Sequence, residues 1–273
     1  MIKIFYSMFK RFFWVFSVLA LLVSCGTVPI SGRKQVLLVS DQEVLNASMV
    51  QYSNYIKEAP KSTSVRGKAQ VVRVGKRIAA AAEAYLKSLG LEKEIRNFSW
   101  EFNLVQDKQL NAFCMPGGKI VVYEGLLSIV GSDDELAVVL GHEVAHAVAK
   151  HSNERMSQQL LAQLGAQVVN LSLDQKSEAT RRVVNQMYGL GAQFGVMLPF
   201  SRKHELEADH MGLILMRLAG YNPDVALDFW KKMASGSKGS VPEIVSTHPS
   251  DRRRIEELSR LIPEVKKTYQ PLG

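Results

Sequence analysis

Cysteine is scarce in this chain, with only Cys25 and Cys114 among 273 residues. A disulfide framework is therefore excluded, and a chain of this length buries enough apolar surface to need none. Cys114 lies in an apolar, glycine-rich stretch without a matching Cys-His context, so it reads as a packed thiol and not as a nucleophile. Uninterrupted apolar runs are also missing beyond the N-terminus. Residues 159 to 172 and 188 to 200 are broken by Gln, Asn or Gly and fall short of the ~20 residues that a bilayer span takes. Internal repeats and low-complexity tracts are absent, as is a basic stripe with aromatic platforms, which excludes nucleic acid as the partner. The formal net charge is +8, but Lys3, Lys10 and Arg11 supply three of it and the remaining bases are interleaved with acids. With 47% hydrophobic and 22% charged residues, the chain has the composition of an ordinary globular protein.

The N-terminus is the one strongly patterned end. Lys3, Lys10 and Arg11 precede an apolar run from Phe12 to Val23, the layout of a secretory signal. Its ending, Leu22-Val23-Ser24-Cys25, resembles a bacterial lipobox, which implies a signal peptide over 1–24 and a lipid on Cys25. Residues 25–39 then read as a tether and 40–273 as the folded domain. An uncleaved signal anchor is the alternative, and either reading implies secretion.

Along the domain, Ser40-x-x-Glu43 is a capping box opening a helix to about Glu58. Lys68 to Leu89 carries apolar residues at helical spacing and stops at Gly90. Phe98 to Val105 alternates as a half-buried strand, Pro116-Gly117-Gly118 turns, and Lys119 to Tyr123 is a second strand. Ser132-x-x-Glu135 caps a helix expected to run past Lys150, with acids in its first turn. Further helices are expected from about Lys203 to Ala219, after Asn222-Pro223, and from Asp251 to Leu261 behind a Ser250 cap.

Within the third long helix stands His142-Glu143-Val144-Ala145-His146. Histidines four apart project from one helix face and can grip one ion, and Glu143 can take the proton of a water that the ion has made more acidic. A catalytic zinc site needs a third protein ligand. Ala149 and Ser152 stand where a closely spaced third histidine motif would need Gly and His. Downstream carboxylates and His151, His204, His210 and His248 remain candidates. Glu205 and Asp209, four apart on one predicted helix face, are the better ones.

Together these residues resemble the gluzincin metallopeptidases of the CAAX-prenyl-endopeptidase type. That family includes a mitochondrial stress protease and bacterial periplasmic lipoprotein proteases. The likeness is carried by His142-Glu143-x-x-His146, Glu205-x-x-Ala208-Asp209, Asn111-Ala112-Phe113-Cys114-Met115-Pro116-Gly117-Gly118, and Thr247-His248-Pro249 with Arg254. It implies one zinc ion per chain held by His142, His146 and Glu205, with Glu143 as general base and Asp209 fixing His142. It also implies Asn111 and Ala112 on a substrate-binding edge strand, His248 as a gating ligand, and Arg254 stabilising the oxyanion or ordering its loop. The fold it implies is α+β and mainly helical, a zincin-like metalloprotease with a small sheet packed on the active-site helix.

With the lipobox, the resemblance points to a periplasmic, lipid-anchored endopeptidase, at the outer membrane. It would act on polypeptides such as misfolded envelope proteins in quality control. A zinc-containing chaperone or scaffold with a closed, latent metal site is the alternative.

Overall fold

The computed structural model describes residues 24–172, 198–235 and 252–272. Two short strands come first, β1 (Ser24–Thr27) and β2 (Lys34–Leu37), paired antiparallel. Helices α1 (Asp41–Glu58), α2 (Val65–Ser88) and α3 (Glu92–Ile95) lead into a three-stranded sheet of β3 (Glu101–Val105), β4 (Ala112–Met115) and β5 (Lys119–Tyr123). The rest is helical: α4 (Glu124–Leu127), α5 (Asp133–Val148), α6 (His151–Ser172), α7 (Leu198–Leu218), α8 (Val225–Ser235) and α9 (Arg252–Thr268). The mainly helical α+β architecture is therefore as expected, and no helix of the described residues is long and apolar enough to cross a membrane.

Local signals place most boundaries. Ser40 accepts from the Glu43 amide at 3.3 Å while the Glu43 carboxylate accepts from the Ser40 amide at 3.1 Å, a complete capping box. Ser132 caps α5 by accepting from the Glu135 amide at 3.1 Å. The reciprocal half is missing, because the Glu135 carboxylate takes the Gly131 amide and Lys232 instead. Gly90 ends α2 with φ +72°, the left-handed conformation that glycine adopts without a Cβ penalty. The first strand of the sheet starts at Glu101, later than the alternation from Phe98 suggested, since Phe98 and Trp100 stack on each other 4.6 Å apart. The last helix continues through Pro263 to Thr268, beyond the expected Leu261.

In the sheet the order is β3-β5-β4, with β3 and β5 parallel and β4 antiparallel on one edge. Ile120 and Val122 are fully buried and join α2 residues such as Val74 and Ile78 and α5 residues such as Leu136 and Leu140 in one core. Helix α5, which carries the His-Glu-x-x-His segment, is thus held between the sheet, α2 and α7. Its crossing with α7 is close: a Cβ built on Gly212 would lie 3.0 Å from the His142 amide nitrogen, and one on Gly141 would lie 3.0 Å from the Gly212 carbonyl. A Cβ at either position would require the facing backbone to give by a few tenths of an ångström.

Two departures from expectation matter for the site. The stretch read as a plain tether forms the β1–β2 hairpin, whose Val28 is buried in the main core. And α5 does not run past Lys150: it ends at Val148, and Lys150 takes a left-handed φ of 57° before α6 starts. Lys150 holds that kink through ion pairs to Asp41 at 2.6 Å and Glu94 at 2.7 Å. His248 and the Ser250 cap lie outside the described residues.

Candidate metal centre

Helix α5 presents His142 and His146 one turn apart, and the Gly141–Gly212 crossing sets α7 against them. His142 Nε2 lies 3.0 Å from His146 Nε2 and 3.1 Å from Glu205 Oε2, and His146 Nε2 lies 3.4 Å from Glu205 Oε1. All three potential ligand atoms fall within 4.8 Å of one another. Two imidazole nitrogens and one carboxylate oxygen converging on one point fit a zinc ion, and three protein ligands leave a fourth position for chemistry. The residues present therefore fit the metal.

Asp209 stands one turn after Glu205, with Oδ1 3.0 Å from His142 Nδ1. That contact fixes the proton on Nδ1 and leaves Nε2 facing the metal position. Asp209 is itself gripped by Arg254, from Nη2 at 2.6 Å and Nε at 2.7 Å, and Arg254 Nη1 lies 3.5 Å from Glu205. The guanidinium also packs over the Trp230 ring at 4.3 Å. The geometry thus sets Arg254 in the support of the carboxylates: three of its nitrogens face Asp209 and Glu205.

The electrostatics follow from these pairings. Burial works against a charged His142, but the hydrogen bonds and charges of Asp209 and Glu205 outweigh it and raise its pKa to about 9. For His146 burial dominates and pushes the pKa well down. Burial would raise Glu205 and Asp209, yet the neighbouring histidines, and Arg254 beside Asp209, keep both carboxyls below their ordinary range. Glu143, buried on α5, is felt across the gap at β4: burial first and then the Glu143 charge drive the Cys114 thiol well above its usual pKa. That thiol is a protonated packing group, as its sequence context suggested.

β4 is paired only with β5 among the described residues, so its other side is a free sheet edge beside the helix. Ala112 is buried on that strand, and Asn111 directly precedes it, its carbonyl accepting from the Tyr123 amide at 3.1 Å. The Asn111 side-chain oxygen is buried and has no hydrogen-bond partner.

Sequence reasoning weighed His151 and His204 as metal ligands, and the structure gives them another place. His151 Nδ1 sits 2.8 Å from His146 Nδ1, behind the ligand and not at the metal position. The His204 ring stacks on His151 at 4.4 Å and its Nε2 lies 3.1 Å from Glu154. His151 is pushed down to about 4, chiefly by burial, and so is neutral at neutral pH. Arg33, Glu154 and Glu207, unnoticed in the sequence, complete this cluster. Nothing in the local pattern marks them, because Arg33 is 121 residues from one carboxylate partner and 174 from the other.

Residues 68–262 match the family described as Peptidase family M48. The chain belongs to this family. It is similar to the mitochondrial metalloendopeptidase OMA1 of Schizosaccharomyces pombe, 34% identical over 272 residues that cover 93% of this chain and 73% of that protein. The human metalloendopeptidase OMA1, mitochondrial, is 30% identical over 88% of this chain, which spans 46% of its length. The beta-barrel assembly-enhancing protease of Yersinia pestis is 31% identical over 58% of this chain and 33% of its own. The M48 chain is accordingly a zinc-dependent metalloendopeptidase.

These relatives overturn the expected localisation. Those of S. pombe, Arabidopsis thaliana, Saccharomyces cerevisiae and Homo sapiens are mitochondrial by name, against a periplasmic, lipid-anchored placement at an outer membrane. The physical reason is that the first acidic residue is Asp41. A basic, acid-free, partly apolar N-terminus suits more than one targeting route, so its composition does not choose between them. The lipid on Cys25 and the membrane anchor belonged to that placement and gain no support from these relatives.

Proposed function

We propose that this M48 enzyme cleaves internal peptide bonds of unfolded or misassembled polypeptides, a protein quality-control task, with zinc held by His142, His146 and Glu205. The observation that carries the site is the convergence of those three side chains, backed at His142 by Asp209 and Arg254. The Glu205-x-x-Ala208-Asp209 spacing and the Asn111–Gly118 segment support placing the chain with the gluzincins. Residues 40–273 form the peptidase domain, with the β1–β2 hairpin docked on it.

When bound, zinc supplies a Lewis acid that polarises the scissile carbonyl and makes the attacking water more acidic. The chain's own residues do the rest. The free edge of β4 offers backbone groups on which an extended substrate pairs as an added strand, with Asn111 and Ala112 at its start. Glu143, next in sequence to a ligand and facing that strand, takes the water's proton on its carboxylate and delivers it to the leaving amine. Asp209 holds His142 in one tautomer, and Arg254 keeps Asp209 ionised and oriented. His248 is the residue proposed to close over the site when no substrate is present.

The test is zinc content by elemental analysis after dialysis, with an assay on an unfolded protein such as casein. Glu205→Ala should lose both zinc and casein cleavage. Full zinc occupancy in that variant would remove Glu205 from the ligand set. Zinc retention without any casein cleavage by the wild-type chain would favour the closed, latent scaffold.

A further inference from the structure

The two histidine ligands are backed in the same manner from opposite ends of the chain. Behind His142 stand a carboxylate, Asp209, and an arginine, Arg254. Behind His146 stands His151, with Nδ1 to Nδ1 at 2.8 Å, and His151 Nε2 lies 3.0 Å from Glu207 Oε2. Glu207 in turn accepts from the Ser31 hydroxyl and, at 2.8 Å, from Arg33 Nε. Arg33 Nη1 and Nη2 anchor on Glu154 at 2.9 and 2.6 Å. His151, Glu207 and Glu154 are all buried.

We propose that Ser31 and Arg33, on the turn of the N-terminal hairpin, are positioning residues for the zinc ligand His146, acting through Glu207 and His151. This rests on the reading of His146 as a ligand. The tautomers then follow in one direction. With Nε2 facing the metal, His146 carries its proton on Nδ1 and donates it to His151 Nδ1. His151 must then carry its own proton on Nε2, where Glu207 accepts it. The chain of donors closes only if Glu207 is a fixed acceptor, and that is what Ser31 and Arg33 secure.

Backbone conformation supports a built device. On an unbroken helix a residue five positions after His146 would point about 140° away from it, at about 100° per residue. The left-handed Lys150 returns His151 to the ligand. At the other end Ile30 has φ 72°, a costly conformation for a β-branched residue, directly before Ser31. Strain of this kind persists where the surroundings hold it in place.

The experiment measures zinc affinity of the full chain by competition with a chelator, alongside circular dichroism and melting of the metal-free protein. His151→Gln places an amide near the Nε2 position and leaves the Nδ1 contact unmade. It should weaken zinc binding about 10- to 100-fold while the metal-free fold is kept. Arg33→Lys keeps the charge but cannot bridge both carboxylates, and should weaken zinc about twofold or more. In the double variant Arg33→Lys should add nothing to His151→Gln, because its effect runs through that ring. Wild-type affinity in His151→Gln, or independent additive losses in the double variant, would overturn the proposal. Should His151→Gln not fold, Ser31→Ala replaces it, and unchanged affinity there would be equally adverse. His146→Ala separates the two readings. If it leaves zinc affinity intact, the ligand assignment fails; if it abolishes binding while His151→Gln does not, only the relay fails.

Discussion

Replacing Gly212 by alanine adds one methyl group at the crossing of α5 and α7, and two effects of opposite sign compete. Alanine is the better helix former by about 1 kcal/mol, so on an isolated helix the change would stabilise. Here the new Cβ would stand 3.0 Å from the His142 nitrogen, 3.1 Å from the Gly141 carbonyl carbon and 3.3 Å from its oxygen. These are backbone atoms that cannot rotate away, so the helices must part by a few tenths of an ångström. Overpacking of that kind costs about 1–3 kcal/mol, which meets or exceeds the propensity gain. The metal site should suffer more than the fold, since α7 carries Glu205 and Asp209 and zinc tolerates only ~0.2 Å of error in its ligand distances. The expected result is a metal-free melting temperature equal to or a few degrees below wild type, with zinc affinity at least about tenfold weaker. A variant that melts higher and binds zinc as tightly as wild type would refute the argument that this crossing positions the ligands.

Arg254→Met removes the partner of a buried carboxylate at Asp209, which should cost about 3–5 kcal/mol in a denaturant titration and weaken zinc binding. Lys150→Gly relieves a left-handed backbone worth about 1–2 kcal/mol but gives up two partly exposed ion pairs worth about 0–1 kcal/mol each, so the net should lie between a loss of about 1 and a gain of about 2 kcal/mol. Because those ion pairs hold the kink that brings His151 to His146, zinc affinity of that variant should fall in chelator competition, and wild-type affinity would show that the kink stands without them. Stability should also fall in acid through Glu154. Burial alone would raise its pKa, but the His204 and Arg33 contacts depress it to about 2. A depressed carboxyl contributes stability above its unfolded pKa and loses it as pH falls from about 4.5 toward 2. The size is on the order of 1–2 kcal/mol after allowance for solvent near the Arg33 end. Glu154→Gln should flatten that part of the stability-against-pH curve.

Much of the site was legible because its grammar is local. His142 and His146 lie four apart, as do Glu205 and Asp209, and helical periodicity alone puts each pair on one face. The capping serines at 40 and 132 and the stop at Gly90 are likewise written in neighbouring residues. What escaped is held by distant partners. No glycine or proline marks the break after α5, where Ala149-Lys150-His151 reads as continuing helix. Ion pairs from Asp41 and Glu94 impose the kink. The hairpin at 24–37 looked like a tether because its anchoring arginine meets carboxylates on α6 and α7, which sequence spacing cannot bring together. The compartment escaped for another reason, since a basic apolar N-terminus is common to different targeting routes.

The account stands most directly on Glu143 as the proton carrier of a zinc peptidase. Cleavage of casein by zinc-loaded Glu143→Gln, at zinc content equal to wild type, measures this. A loss of about 10²- to 10⁴-fold in rate with fold and zinc retained is the predicted result. Wild-type cleavage by that protein would contradict the account.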